Sequence, residues 1–387
     1  MKWPFDPRYP SVDDLRRRAR RRIPRFAFEY LDGGCNEDLN LRKNTSDIRR
    51  VELKPRYLRP HEAPSLATTL FGQRYDAPFG IAPVGLQGLM WPGAAEILAR
   101  AAHRHNIPFV LSTVSTASIE RIAELTEGRA WFQLYHPAEE RLRDDLLRRA
   151  WDAGLRVLVL LCDVPTFGFR PRDIRNGLAM PPKMTLRNLL QMTRRPAWAW
   201  NTLLKGKPRF ATLLPYMPKG LDLKELGRFM NETFSGKLDP QRIAALRERW
   251  KGTLLLKGVA GEEDAETALE LGLDGIIVSN HGGRQLDAGQ SAIEALKPIA
   301  RRFGGRFPVL MDGGMRSGPD IARVLACGAR FAFLGRAFMY GVAALGDKGG
   351  EHTIALLKNQ LQQVLEQLCC ERPEKLKEHL VGEGEDR

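Results

Sequence analysis

Five cysteines in 387 residues are too few, and too scattered, to organise a fold. Cys35, Cys162, Cys327, Cys369 and Cys370 form no C-x-x-C pair and no His-paired metal spacing. Their odd number argues against a disulfide framework, and no metal ligand set is expected. Long apolar runs are also missing, since no window approaches the roughly 18 residues of a membrane span. The N-terminus, MKWPFDPRYPSVDD, lacks the apolar stretch of a signal peptide. These absences lead us to expect a cytoplasmic chain, with a peripheral position at the inner face of the cell membrane left open. No G-x-G-x-x-G follows a first strand, which weighs against a doubly wound dinucleotide sheet. No motif interleaving aromatic and basic residues is found, so no nucleic-acid partner is expected despite a net charge of +14.

The charge instead points to anions. It concentrates in RRRARRR (16–22) and RRP (194–196), and a basic balance favours acidic substrates, phosphate groups or anionic lipid. The apolar fraction of 43% is enough for a sizeable core. From residue 79 onward, β-rich runs alternate with helical stretches. The runs are FGIAP (79–83), PFVLST (108–113), AWFQLY (130–135), RVLVLLCD (156–163), TLLLKG (253–258), GIIVSN (275–280), FPVLMDGG (307–314) and FAFLGR (331–336). Several are continuously apolar, as parallel strands buried on both faces require. Eight βα units predict an α/β fold, a (β/α)8 TIM barrel forming one domain over residues 1–387. The spacing breaks once, between residues 164 and 252, which predicts an insertion or lid at approximately 171–250 after the fourth strand.

In such barrels, chemistry sits at the C-terminal ends of the strands. Polar residues close these runs: Ser112, Gln133, Tyr135, Asp163, Lys257, Ser279, His281, Arg284, Asp312 and Arg336. The stretch SNHGGRQLD (279–287) puts a base, a guanidinium and flexible glycines at one strand end. DGGMRSG (312–318) and LGRAF (334–338) follow the seventh and eighth strands, where barrels build their phosphate site. Glycines let backbone N–H groups approach an anion, and Arg316 or Arg336 can neutralise it.

The stretches IPRFAFEYLDGG, IAPVGLQGL, LSTVST, WFQLY, LLKGV, GIIVSNHGGRQLD, DGGMRSGPD and FLGRAF carry a resemblance over most of residues 12–385. The chain resembles the FMN-dependent α-hydroxy acid dehydrogenases and oxidases, and is most similar to the bacterial membrane-associated L-lactate type. The resemblance implies FMN as cofactor and oxidation of a small (S)-2-hydroxy acid, L-lactate to pyruvate first. Electrons would pass to a quinone or another carrier. Left open are a 2-hydroxy acid oxidase using oxygen, of glycolate oxidase or mandelate type, and a flavin-binding barrel with impaired turnover. A homo-oligomer, a tetramer, is also implied.

Residue by residue, the resemblance makes His281 the base and Asp163 the group that stabilises its imidazolium. Arg284 and Arg170 would hold the substrate carboxylate, with Tyr30 donating to it, and Tyr135 would bind the hydroxyl. Lys257 would stand beside the flavin ring, which Ser112, Gln133, Ser279, Pro83, Val84 and Gly85 would line. Asp312, Gly313, Gly314, Arg316, Gly335 and Arg336 would hold the ribityl and phosphate end. The chain departs from the family at Leu161, where a threonine is usual. Val84 also replaces a threonine of the glycolate oxidase-like members, and Val114 replaces their tryptophan.

The insertion carries its own expectation. Residues 184–217 mix Trp198, Trp200, Phe210 and Tyr216 with Arg187, Arg194, Arg195, Lys205, Lys207 and Arg209. This composition suits an anionic membrane surface, and equally an ordinary amphipathic lid.

Overall fold

A computed structural model describes residues 2–58, 60–178, 185–218, 229–230, 232–234 and 238–381. Its strands are β1 (Thr68–Leu70), β2 (Gln73–Tyr75), β3 (Phe79–Ile81), β4 (Val110–Ser112), β5 (Trp131–Tyr135) and β6 (Val157–Leu161). They continue as β7 (Thr253–Val259), β8 (Gly275–Val278), β9 (Val309–Asp312) and β10 (Phe331–Leu334). Strands β3 to β10 form one parallel sheet in the order β3-β10-β9-β8-β7-β6-β5-β4. A parallel bridge between Ile81 and Phe109 joins the two ends, so the sheet closes into a barrel. Each of the eight expected runs coincides with one of these strands, with β7 reaching one residue beyond its run, to Val259.

The continuous apolar runs follow from two buried faces. Val110, Trp131, Val159, Leu255, Ile277, Leu310, Phe331 and Phe333 fill the barrel interior. Alternate residues, such as Phe109, Phe132, Leu158, Leu254 and Ile276, face the helices in a second, larger core. The sequence reading did not anticipate the β1–β2 hairpin. Its strands are three residues long and do not alternate clearly in polarity. The turn places Phe71 and Gly72 at positive φ, 49° and 73°, the twist a two-residue hairpin prefers. It brings Leu70, Phe71 and Tyr75 against Trp131 and Phe331, plugging the N-terminal mouth of the barrel.

The connection between β6 and β7 carries helices at Pro171–Arg175, Leu186–Thr193, Pro196–Lys205 and Pro240–Arg249. The last of these buries Ile243 and Leu246 in the main core. Residues 179–184, 219–228, 231 and 235–237 of this connection, Met184 among them, lie outside the described residues. Phe210, Leu213, Met230 and Phe234 form a small core that packs against Leu86, Val114 and Tyr135 at the strand ends. The connection therefore lies over the C-terminal mouth.

Its aromatics do not behave alike, and each of the two expected roles, membrane-facing and packed lid, falls to different residues. Trp198 is buried; its Nε1 donates to the Leu89 carbonyl at 3.0 Å and its ring meets Phe26 edge to face. Phe210 is buried in the small core, and the Tyr216 hydroxyl pairs with Asp145 and Arg149. Only Trp200 of the four is exposed. Apolar volume and an unmet indole donor pull Trp198 inward, where a partner exists.

Candidate active site

Every residue of SNHGGRQLD has structural work at the mouth of the barrel. The Ser279 hydroxyl accepts from Lys257 Nζ and from the backbone N–H of His281, each at 3.0 Å. Asn280 is tied to Asn40 and Asn44 of the helix Leu39–Arg50. The backbone at His281 has φ +56°, followed by Gly282 at +65° and Gly283 at +73°. A left-handed histidine is unusual and persists only where its surroundings hold it. Gly283 must stay bare, because an added Cβ would stand 2.5 Å from the Leu41 nitrogen.

The histidine ring is aimed by a carboxylate. His281 Nδ1 lies 3.1 Å from Asp163 Oδ1, and both side chains are largely buried. Nδ1 must carry the proton to make this bond, which leaves Nε2 as the acceptor. Burial pushes the Asp163 carboxyl up, but the charges of His281 and Lys257 outweigh it and hold it below the usual carboxylate range. Asp163 Oδ2 has no hydrogen-bond partner among the described residues. Gly258, at φ +103° in a bulge of β7, makes room for this carboxylate; a Cβ there would lie 2.5 Å from Asp163 Cβ.

Lys257 is fully buried at the end of the same strand. Its Nζ sits 3.1 Å from Asp312 Oδ2. Burial lowers its pKa, yet Asp312 and Asp163 more than compensate and raise it. The ammonium is therefore charged inside the barrel.

Three arginines contribute positive charge with little local compensation. Arg284 Nη1 donates to the carbonyls of Tyr30 and Gly33, each at 2.8 Å, and its guanidinium stands over the Tyr30 ring. The nearest carboxylate of Arg284 and Arg170 is Asp173, 3.9 Å from each. Burial, then Arg170, pushes Arg284 down to about 10. Arg336 donates from Nε to Leu31 O, from Nη1 to Gly282 O and from Nη2 to Gly33 O, at 2.8–3.0 Å. Burial, then Arg316 and Arg284, pushes it down to about 9. Buried cations without a close neutralising carboxylate are costly, so this corner favours an incoming anion.

One cavity of about 1100 Å³ collects these groups. Tyr30, Pro83, Val84, Gly85, Ser112, Gln133, Tyr135, Arg170, Lys257, His281, Arg284, Asp312, Gly313, Gly314, Arg316, Gly335 and Arg336 all line it. Asp163 and Ser279 stand behind the lining and act on His281 and Lys257. The volume lies at the upper end of the roughly 300–1,000 Å³ typical of ligand pockets, room enough for a large cofactor. FMN fits one end of it. Arg316 and Arg336 pair with no carboxylate through their side chains among the described residues, as a phosphate site needs. Gly313 and Gly314, at φ +100° and +82°, turn their backbone between Asn280 and Asn44. A Cβ at Gly314 would stand 2.3 Å from Asn44 O. No group of three or more metal-ligating side chains occurs among the described residues.

The sequence reading missed several supporting residues. Gln285 donates to the carbonyls of Asp163 and Thr166 and accepts from Gly168 N–H and Arg170. It lay inside the quoted motif, but nothing in the sequence shows that its amide bridges two loops. Asp287 accepts from the N–H groups of Glu37 and Asn40, fastening the N-terminal segment rather than touching the cavity.

The model of the FMN-dependent dehydrogenase family matches residues 19–383. An L-lactate dehydrogenase of Caulobacter sp. (strain K31) is 39% identical over 91% of this chain and 93% of its own. An L-lactate dehydrogenase of Pectobacterium atrosepticum is 40% identical over 90% of each. Among solved structures, the monotopic membrane protein (S)-mandelate dehydrogenase superposes with a TM-score of 0.91. It shares 34% identity and is covered to 100%, with 97% of this chain. A mandelate oxidase, at 33% identity, gives 0.83 over 96% of this chain and 98% of its own. The family match and these relatives show that the chain belongs to the FMN-dependent dehydrogenases, enzymes that act on 2-hydroxy acids.

Proposed function

We propose that the protein oxidises an (S)-2-hydroxy acid, L-lactate in the first instance, and delivers the electrons to a membrane quinone. The observation that carries this reading is the 3.1 Å His281–Asp163 pair, set in the same cavity as Arg284 and Arg170. Two guanidiniums orient a carboxylate bidentately and fix the carbon beside it. Tyr30 and Tyr135 supply hydroxyls for the carboxylate and the substrate hydroxyl. His281 Nε2 then takes the proton, and Asp163 stabilises the imidazolium while holding the ring in the productive tautomer. FMN, when bound, supplies the two-electron acceptor. Lys257 would offset the negative charge of the reduced cofactor, with Ser112, Gln133 and Ser279 around the ring. Asp312 and Arg316 would serve its ribityl and phosphate end.

Two observations support the membrane as the place of electron delivery. The helices Leu186–Thr193 and Pro196–Lys205 expose Leu186 (80%), Leu203 (74%), Leu204 (67%) and Trp200 (61%). Lys207 and Arg209 adjoin this face and line the cavity mouth. No helix is long and apolar enough to cross a membrane among the described residues. A surface-lying segment accords with both facts.

A second reading concerns the acid. The outer cavity is lined by Leu86, Val114, Phe167, Phe210, Leu214 and Met230, which favours a bulky apolar side chain, and two mandelate enzymes share the fold. Anaerobic mixing with L-lactate and with (S)-mandelate tests both readings. His281→Ala should abolish flavin bleaching by either acid while leaving the flavin bound, a loss on the order of 10²–10⁴-fold. Bleaching at the native rate would remove His281 as the base.

A further inference from the structure

The eight-residue helix Arg25–Asp32 ends against both arginine side chains described above. Its last carbonyls have no partner inside the helix, and cations suit such an end. Tyr30 O accepts from Arg284, Leu31 O accepts from Arg336, and Gly33 O accepts from both. A single carbonyl thus orients the guanidinium assigned to the substrate carboxylate and the one assigned to the cofactor phosphate.

This turn is itself held from behind. Asp32 is buried outside the cavity. Its Oδ1 accepts from Arg16 Nε at 2.6 Å and from the Tyr340 hydroxyl at 2.7 Å. Its Oδ2 accepts from Arg16 Nη2 at 2.9 Å and Arg172 Nη1 at 3.4 Å. Arg172 also reaches Asp38, whose Oδ1 accepts from Gly34 N–H at 2.7 Å. Gly33 must stay bare, since a Cβ would stand 2.9 Å from Glu29 O and 3.0 Å from Arg172 Cδ.

We infer that Asp32 is a positioning residue for both anion sites: it fixes the turn whose Gly33 carbonyl aims Arg284 and Arg336 together, so that filling the phosphate site prepares the carboxylate site. The inference rests on the reading of Arg284 and Arg336 given above. The physical basis is geometric. A guanidinium binds an oxyanion well only in one plane, and a bond to a fixed carbonyl sets that plane. Were the turn to move, both planes would turn with it. Occupying one arginine with an anion would then tighten the turn for the other, which is a coupling free energy between two sites.

Asp32→Asn, with Tyr340→Phe as the milder change, tests this on purified protein. FMN affinity is measured by quenching of flavin fluorescence as apo-protein is titrated. Oxalate, a carboxylate that cannot be oxidised here, is titrated against the holo-protein by flavin absorbance. Asp32→Asn should weaken both by about tenfold, the worth of one hydrogen bond to a charged group. Tyr340→Phe should weaken both by less. The rate of flavin reduction at saturating substrate should stay within about threefold, a KM effect without a matching kcat effect. Arg336→Met and Arg284→Met serve as direct controls for FMN and oxalate. If these controls bind normally, the assignment of the two arginines fails. If they bind poorly while Asp32→Asn and Tyr340→Phe bind normally, or lose thermal stability alone, the positioning role is overturned. Should Asp32→Asn prove insoluble, Tyr340→Phe alone decides, since it removes one hydrogen bond and leaves the ring packed. A loss of FMN affinity without loss of oxalate affinity would refute the coupling.

Discussion

Asp163 meets His281 across 118 positions of sequence, Oδ1 to Nδ1 at 3.1 Å, just beyond the ends of β6 and β8, with β7 between them. The pair sets what pH can do. The charges of His281 and Lys257 hold the Asp163 carboxyl below its ordinary value of 3.8. A carboxylate with a depressed value contributes stability that is present above 3.8 and lost as the pH falls through its lower folded value. Asp163→Asn should therefore lower the melting temperature wherever Asp163 is ionised in the native protein. The gap from the native protein should narrow as the pH falls below 3.8. The same variant should cut the rate of flavin reduction on the order of 10²-fold, because the neutral amide no longer stabilises the imidazolium. A gap that widens as the pH falls below 3.8 would contradict the assigned direction.

Lys257 faces two buried carboxylates, Asp312 at 3.1 Å and Asp163 within its field. Lys257→Met keeps the length of the side chain and removes the charge. It should destabilise the apo-protein by about 3–5 kcal/mol, since Asp312 is left buried and unpaired. Lys257→Met/Asp312→Leu should recover part of that loss. Chemical denaturation of the two variants measures both quantities, and an unchanged midpoint for the single variant would refute the burial argument.

Val114 separates the two readings of the substrate. It packs with Phe210 and Met230 over the outer cavity, and its Cγ2 would stand 2.8 Å from a Cβ at Gly85. Val114→Trp adds a large ring to that space. Efficiency with (S)-mandelate should fall at least about tenfold more than efficiency with L-lactate, as overpacking costs about 1–3 kcal/mol. Steady-state kcat/KM for the two acids decides. Equal losses would place the substrate side chain elsewhere.

The barrel was legible because each of its strands is buried on both faces, which writes an unbroken apolar run ending in a polar residue. Strand ends then gave many of the polar residues of the cavity, while Tyr30 and Arg170, which lie outside the strand ends, came from the family resemblance. The supports were not legible. Asp32 and Arg172 touch only across 140 positions, and Gln285 and Asp287 act through backbone groups that any residue could offer. The insertion was legible as an excess of length, but composition alone could not separate Trp198 from Trp200. One indole finds the Leu89 carbonyl and is buried; the other stays exposed.

That difference decides how the membrane surface must be probed. Removing residues 184–217 would strip Trp198, Phe210 and Leu213 from their cores and unfold the mouth, so deletion would report on folding. Point changes at Leu186, Leu190, Trp200, Leu203 and Leu204 remove exposed apolar surface and leave those cores intact. Arg187, Arg194, Lys205, Lys207 and Arg209 are exposed beside them, and each is worth about 1 kcal/mol near an anionic surface. Arg195 is engaged otherwise, donating to the Ile23 carbonyl at 3.2 Å. The native protein should pellet with phosphatidylglycerol vesicles, less so at high salt, since exposed charges are screened within about 10 Å at 0.1 M. The quintuple change to glutamine or serine should leave the protein in the supernatant with its melting temperature within a few degrees of native. Flavin reduction by the acid should be untouched, while reduction of a vesicle-borne quinone should fall. If the native protein stays in the supernatant at low salt, the exposed face does not bind membrane, and a water-soluble acceptor takes the place of the quinone.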